Sequence, residues 1–221
     1  MDANYNLSGL TDRIKARLKD AQYSDSDIQQ FINDSYFDIL GDTAYQFLEK
    51  MYRATTQEGG PLLLPPDYQT LIHLTASKDG NKYPLRYLPS RQFFDTEKNA
   101  SVKSYTYTIF GNNLFYSLPD ISDELDAEGD EKFYTLDLYY LARPKMLVAD
   151  TDKPVIPYEY GEALVLGALA RAEQLRDNFD YAQIYENKKE ELITNMKERY
   201  CPRQQEGANR AKLPVFQALR H

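Results

Sequence analysis

Cysteine is almost missing from this 221-residue chain, and tryptophan is missing altogether. The single cysteine, Cys201, excludes any intrachain disulfide framework and fits a reducing compartment. Histidine occurs only as His73 and His221, and two histidines with one cysteine give no zinc-ligand spacing. No stretch approaches the ~18 consecutive apolar residues of a membrane span. The first ten residues, MDANYNLSGL, carry an early acid and no apolar run, so no signal peptide is expected there. Glycine is sparse and never forms a phosphate loop: Gly59-Gly60 lacks a following Lys-Ser or Lys-Thr, and Gly161 and Gly167 fall in a helical pattern. Positive charge is in short supply as well. Thirty-four acidic side chains against 26 basic ones leave a formal net charge of −8. That balance favours solubility and disfavours general attraction to nucleic acid or anionic membrane.

What the chain does have is tyrosine, 19 of them, within a hydrophobic fraction of 42%. Tyrosine combines a large apolar area with a polar tip, which suits surfaces buried only when a partner arrives, and it is also at home in ordinary strands. The length allows one core, or one core with a satellite β lobe.

The order of segments is α, then β, then α. Leu10, Ile14, Leu18 and Ala21 predict a first helix from about Ser8 to Asp20. Ser24-Asp25-Ser26-Asp27 offers capping oxygens and early acids to a second helix striped by Ile28, Phe31, Ile32, Ser35, Tyr36 and Ile39, which Gly41 ends or bends. Residues 45–56 fit either a helix or an outgoing strand. Leu71–Ala76 reads as a strand, Asp79-Gly80 as a hairpin turn and Tyr83–Leu88 as its return, with Ser90 capping a short helix. A second hairpin runs through Tyr105–Phe110, turns at Gly111-Asn112 and returns over Leu114–Leu118. Phe133–Leu141 is a long alternating strand ended by Arg143-Pro144. After a linker at Ala149–Pro157, Tyr158–Arg176 is a helix rich in small residues, among which Gly167 and Ala168 are placed at a close helix crossing. Asn178 or Asp180 then caps a last helix, which stops at Cys201-Pro202. The expected fold is α+β: a bundle from helices at about 8–40 and 158–200, an antiparallel β insert at about 45–145, and a C-terminal arm over 203–221. Each terminal helix pair has one apolar stripe and would bury it against the other pair.

No segment carries a catalytic signature. His73 lies in a strand with no nucleophile elbow beside it, so it reads as structural rather than as a general base. The run Asp123, Glu124, Asp126, Glu128 and Asp130 has a distant likeness to a calcium loop. It lacks the full alternating ligand pattern and the closing glutamate, and an exposed acidic loop is the expectation. The tyrosine hairpin lacks the interleaved cations of a base-stacking platform. The tail is basic through Arg203, Arg210 and Lys212, and its end is apolar through Val215, Phe216 and Leu219. That end favours docking on protein over nucleic acid, with a plain frayed terminus as the alternative.

Taken in order, Ile28–Asn33, Leu64-Pro65-Pro66-Asp67-Tyr68, Phe110–Pro119, Leu138–Pro144, Asp150–Pro157 and Tyr160–Leu164 make the chain resemble the head-to-tail adaptor, or connector, proteins of tailed bacteriophages. The resemblance spans about residues 8–200. It implies a virion structural protein, assembled in the host cytoplasm, that is not an enzyme and needs no cofactor or metal. It further implies a ring of twelve copies beneath the portal protein, extending the channel through which double-stranded DNA passes without specific binding, offering a platform to a tail protein, and touching no membrane. The C-terminal arm, with Arg203, Arg210, Lys212, Val215, Phe216 and Leu219, would reach the portal or a neighbouring subunit. A tail-completion or tail-tube protein is the nearest alternative, and a metal-dependent enzyme using the acidic loop is the alternative of another class.

Overall fold

The computed structural model describes residues 5–18, 23–41, 43–56, 60–97, 104–119 and 133–201. Helix α1 spans Leu7–Leu18 and α2 spans Asp25–Leu40. Ser24 caps α2 with a full capping box: its hydroxyl accepts from the Asp27 N–H, and the Asp27 carboxylate accepts from the Ser24 N–H at 2.9 Å. A 3-10 turn at Gln46–Leu48 leads into strand β1, Glu49–Thr55, so the ambiguous stretch resolves as a strand. There follow β2 (Leu62–Leu63), β3 (Tyr68–Lys78), β4 (Asn81–Pro84), β5 (Arg86–Tyr87), α3 (Ser90–Glu97), β6 (Thr106–Phe110), β7 (Asn113–Ser117) and β8 (Thr135–Ala142). The chain closes with a 3-10 turn at Tyr158–Tyr160, α4 at Gly161–Gln174 and α5 at Phe179–Tyr200. The fold is α+β.

The strands form two four-stranded sheets, ordered β1-β8-β3-β4 and β2-β7-β6-β5. Among the described residues every pairing is antiparallel except β5 with β6, where Arg86 and Tyr87 run parallel to Thr106 and Tyr107. The expected single return strand over Tyr83–Leu88 is therefore two strands. Pro84 has no N–H with which to continue the ladder on β3. Beyond it the buried Leu85 donates one last bond to Leu74, and the chain passes into the other sheet.

Two apolar cores form among the described residues. One gathers Leu10 and Ile14 of α1, Ile28, Ile32 and Tyr36 of α2, Ala163, Leu164 and Ala168 of α4, and Ile193 and Met196 of α5. The stripes of α1 and α2 contribute to the same core as the small-residue helix α4. The other takes Leu74, Ala76, Leu136 and Leu138 from the first sheet and Leu64, Leu85, Leu114 and Leu118 from around the second. Each fully buried leucine contributes roughly 1.5–3 kcal/mol before the entropy of ordering it. Asn178 stands at the start of α5 without a side-chain cap bond, and its amide donates instead to Glu173 Oε2 at 2.8 Å. The expected cap is replaced there by a tie across the α4–α5 turn.

Candidate assembly surfaces

Strand β8 has one face in the β core and one outside it. Leu136 and Leu138 point inward, while Tyr139 is exposed. Its cross-strand neighbours in the outer row are Met51 on β1 and His73 on β3. With Glu49, Lys50 and Ile72 these residues line a shallow concavity of about 480 Å³. Met51 is 51% exposed, so the row is apolar surface offered to solvent. The His73 ring lies 6.3 Å from the Tyr139 ring. His73 is thus part of this exposed sheet face.

Two ion pairs brace this sheet. Next to Met51-Tyr139-His73 comes the row Arg53-Asp137-Thr75, in which Arg53 Nε donates to Asp137 Oδ1 at 2.6 Å. The Asp137 side chain is nearly inaccessible, and the Arg53 guanidinium holds its carboxyl below the usual carboxylate range against the opposing effect of burial. At the other end of β1, the Lys50 ammonium donates to Asp67 Oδ2 at 2.6 Å and the Tyr140 hydroxyl donates to Oδ1 at 2.9 Å. The Lys50 bond leads in holding Asp67 low, while burial and the bond to Asp67 push the Tyr140 phenol up to about 12.

Other apolar side chains stand free at the extremities. Phe110 (62% exposed) and Leu63 (66%) lie at the β6–β7 turn and the strand beside it. Leu175, Phe179, Tyr181 and Ile184 are exposed around the α4–α5 turn. The spacing of Tyr181 and Ile184 with Tyr185, Leu192 and Met196 predicts one apolar stripe on the last helix, but near the start of that helix Tyr181 and Ile184 are exposed. In β1 the signal available was the want of alternation in Glu49-Lys50-Met51-Tyr52-Arg53, which belongs to a strand exposed on its edge.

Gly167 and Ala168 are buried on α4. A Cβ at Gly167 would stand 2.0 Å from Ser35 Oγ and 2.9 Å from Ser35 Cβ of α2, and 3.2 Å from Lys189 Cδ of α5. Asp123, Glu124, Asp126, Glu128 and Asp130 lie outside the described residues, as do Arg203, Arg210, Lys212, Val215, Phe216 and Leu219. Among the described residues no group of three or more His, Cys, Asp or Glu side chains is placed to hold a metal ion, and no helix is long and apolar enough to cross a membrane.

The family model for the SU10 adaptor protein matches residues 5–213. The chain belongs to the SU10 adaptor protein family. This is a family of phage head-to-tail adaptors, so the chain is a phage structural adaptor. The match runs through both helix pairs and the whole β region of the adaptor. No curated protein sequence matches the chain.

Proposed function

We propose that this adaptor forms a homo-oligomeric ring beneath the portal protein of the phage head, extends the DNA channel, and presents a platform for a tail protein. The observation that carries this reading is the family match over residues 5–213, nearly the whole chain. The physical chemistry is consistent with it. Closing a ring takes two different complementary faces on each subunit. The exposed apolar groups at the outer sheet face, the β6–β7 turn and the α4–α5 turn are candidates for such faces. A formal charge of −8 suits a wall past which DNA slides, since it avoids the phosphate contacts that make binding tight and salt-dependent.

In this reading residues 1–202 are one adaptor domain, a helical bundle with the β region inserted, and 203–221 are an arm. Arg203, Arg210 and Lys212 steer the arm toward an acidic surface, and Val215, Phe216 and Leu219 seat it on the portal or the adjacent subunit. The test is imaging of the full-length protein mixed with purified portal assemblies. Rings seated on the portal are expected, and a variant lacking 203–221 should fold and fail to attach. A protein that stays monomeric beside the portal, or that occurs in particles only along the tail, overturns the reading.

A further inference from the structure

Strand β1 is the outer strand of its sheet, and among the described residues no strand pairs with its second edge. The opposite edge, β4, is four residues long and ends in Pro84, which protects it from further pairing. β1 has seven residues, no proline, and six exposed positions. Its two cations do not guard the free edge. Lys50 is drawn to Asp67 and Arg53 to Asp137, and both acids lie on the β8 side of the strand. The edge borders the apolar concavity at Met51, Ile72 and Tyr139.

The place where the described chain ends points to an occupant. The Tyr200 ring, at the end of α5, meets the Phe47 ring edge-on at 5.5 Å, and Phe47 sits in the turn that opens into β1. Residues 202–221 therefore leave the described structure beside the first residue of the open strand. Glu49, at that end, has no salt bridge among the described residues, and Arg203 follows Cys201 by two positions. The twelve steps from Pro202 to Pro214 span up to about 40 Å when extended, more than the roughly 23 Å length of a seven-residue strand. Val215-Phe216-Gln217-Ala218-Leu219 has no proline and is apolar at both alternations, Val215 with Leu219 and Phe216 with Ala218. Either register puts apolar side chains beside Met51, on the β1 side of the concavity.

We propose that in the free subunit residues 215–219 add to the open edge of β1 of the same chain as an extra strand, flanking Met51 and reaching toward Tyr139. Backbone bonds supply the attraction and the concavity supplies the selectivity, as in other strand additions. The edge is thereby closed to pairing between copies until the arm is taken up elsewhere. This inference concerns the free subunit and does not depend on the ring.

The test uses the full chain at low micromolar concentration, with a photoreactive benzoylphenylalanine in place of Phe216. Crosslinks within one chain to residues 49–55 or Tyr139 are expected. Hydrogen exchange over residues 49–55 is read in parallel, in the natural sequence and in the full-length variant Val215→Asp, Phe216→Asp, Leu219→Asp. The variant should exchange about tenfold faster there, as local opening predicts, with α4 unchanged as the check on folding. Crosslinks joining two chains would make a second copy the occupant and overturn the proposal. So would crosslinks elsewhere, or equal exchange in the two proteins. Portal attachment is scored separately, so the ring and the covered edge can fail independently.

Discussion

The side-chain amide of Asn33 pairs with the backbone of Leu147 through two hydrogen bonds, Nδ2 donating to the carbonyl at 2.9 Å and the Leu147 N–H donating to Oδ1 at 2.9 Å. Asn33 is buried, and its Nδ2 also donates to the Gln29 carbonyl at 3.0 Å. One side chain thus ties the segment leaving β8 to the middle of α2. Asn33→Ala leaves a buried N–H and a buried carbonyl without partners and should cost about 2 kcal/mol. Asn33→Asp loses the donor and sets a carboxylate against the Leu147 carbonyl, so its deficit should be at least as large at pH 7 and shrink in acid, when the carboxyl regains a proton. Urea unfolding at two pH values measures both.

The α2–α4 contact is tight at Gly167. Alanine there gains about 1 kcal/mol of helix propensity, but its Cβ must displace Ser35, an overpacking cost of about 1–3 kcal/mol. Gly167→Ala should be net destabilising, and Ser35→Gly should relieve it in the double variant. A thermodynamic cycle with no coupling would mean that the two helices do not meet there. Ser35 Oγ is buried with no hydrogen-bond partner among the described residues, so Ser35→Ala alone should change stability by less than about 1 kcal/mol. Ala168→Leu, at a position with no exposed surface, should cost about 1–3 kcal/mol.

Lys189 is buried in α5, with its ammonium 3.0 Å from Asp38 of α2 and 2.6 Å from Glu186. Burial pulls its pKa down, and the two carboxylates together outweigh burial and hold it above its ordinary value. Its stem also packs over Gly167. Lys189→Met keeps the stem and leaves carboxylates that water can reach, so it should stay within about 1 kcal/mol of the natural protein, whereas Lys189→Ala should lose about 2 kcal/mol. Thermal unfolding of the pair separates packing from charge. A raised folded-state pKa means that the ion pair stabilises fully below pH 10.5 and is lost as pH rises through the folded value.

Acid acts through Asp67 and Asp137. Both have folded-state pKa values depressed by their cations, Lys50 and Arg53. Their contribution is complete above the unfolded value of 3.8 and disappears as pH falls through the lower folded values. Stability from these groups should be flat between pH 7 and about 5 and fall below about 4. Arg53→Gln removes the main group holding Asp137 low, so the difference in urea midpoint between variant and natural protein should narrow steadily below about pH 4. A constant difference would mean that Asp137 is not coupled to Arg53.

Local chemistry made several elements legible. Asp79 and Gly80 both adopt positive φ, at 51° and 77°, as a two-residue hairpin demands, and the dipeptide announces it. The capping oxygens before α2 and the stripe behind them need only nearest neighbours to be read. The split at Pro84 had one local sign, the proline itself, but the destination of Arg86 and Tyr87 depends on β6, 20 residues away from each. The outer sheet face was hidden for a similar reason. Whether Tyr139 or Tyr140 faces the core is decided by which row of β8 meets Leu74 across the ladder. Gly167 stood out as a small residue in an apolar helix, while its partner Ser35 lies 132 positions earlier and no local pattern joins them.

The passage of one continuous segment from β4 through Leu85 to β5 has a mechanical consequence. A tension applied to β6 reaches the first sheet through the two-residue β5–β6 pairing, and from β5 it passes along the backbone into β4, which pairs with β3 over four residues. In a pulling experiment the short β5–β6 pairing should therefore give before the β3–β4 ladder does, with two separable rupture events.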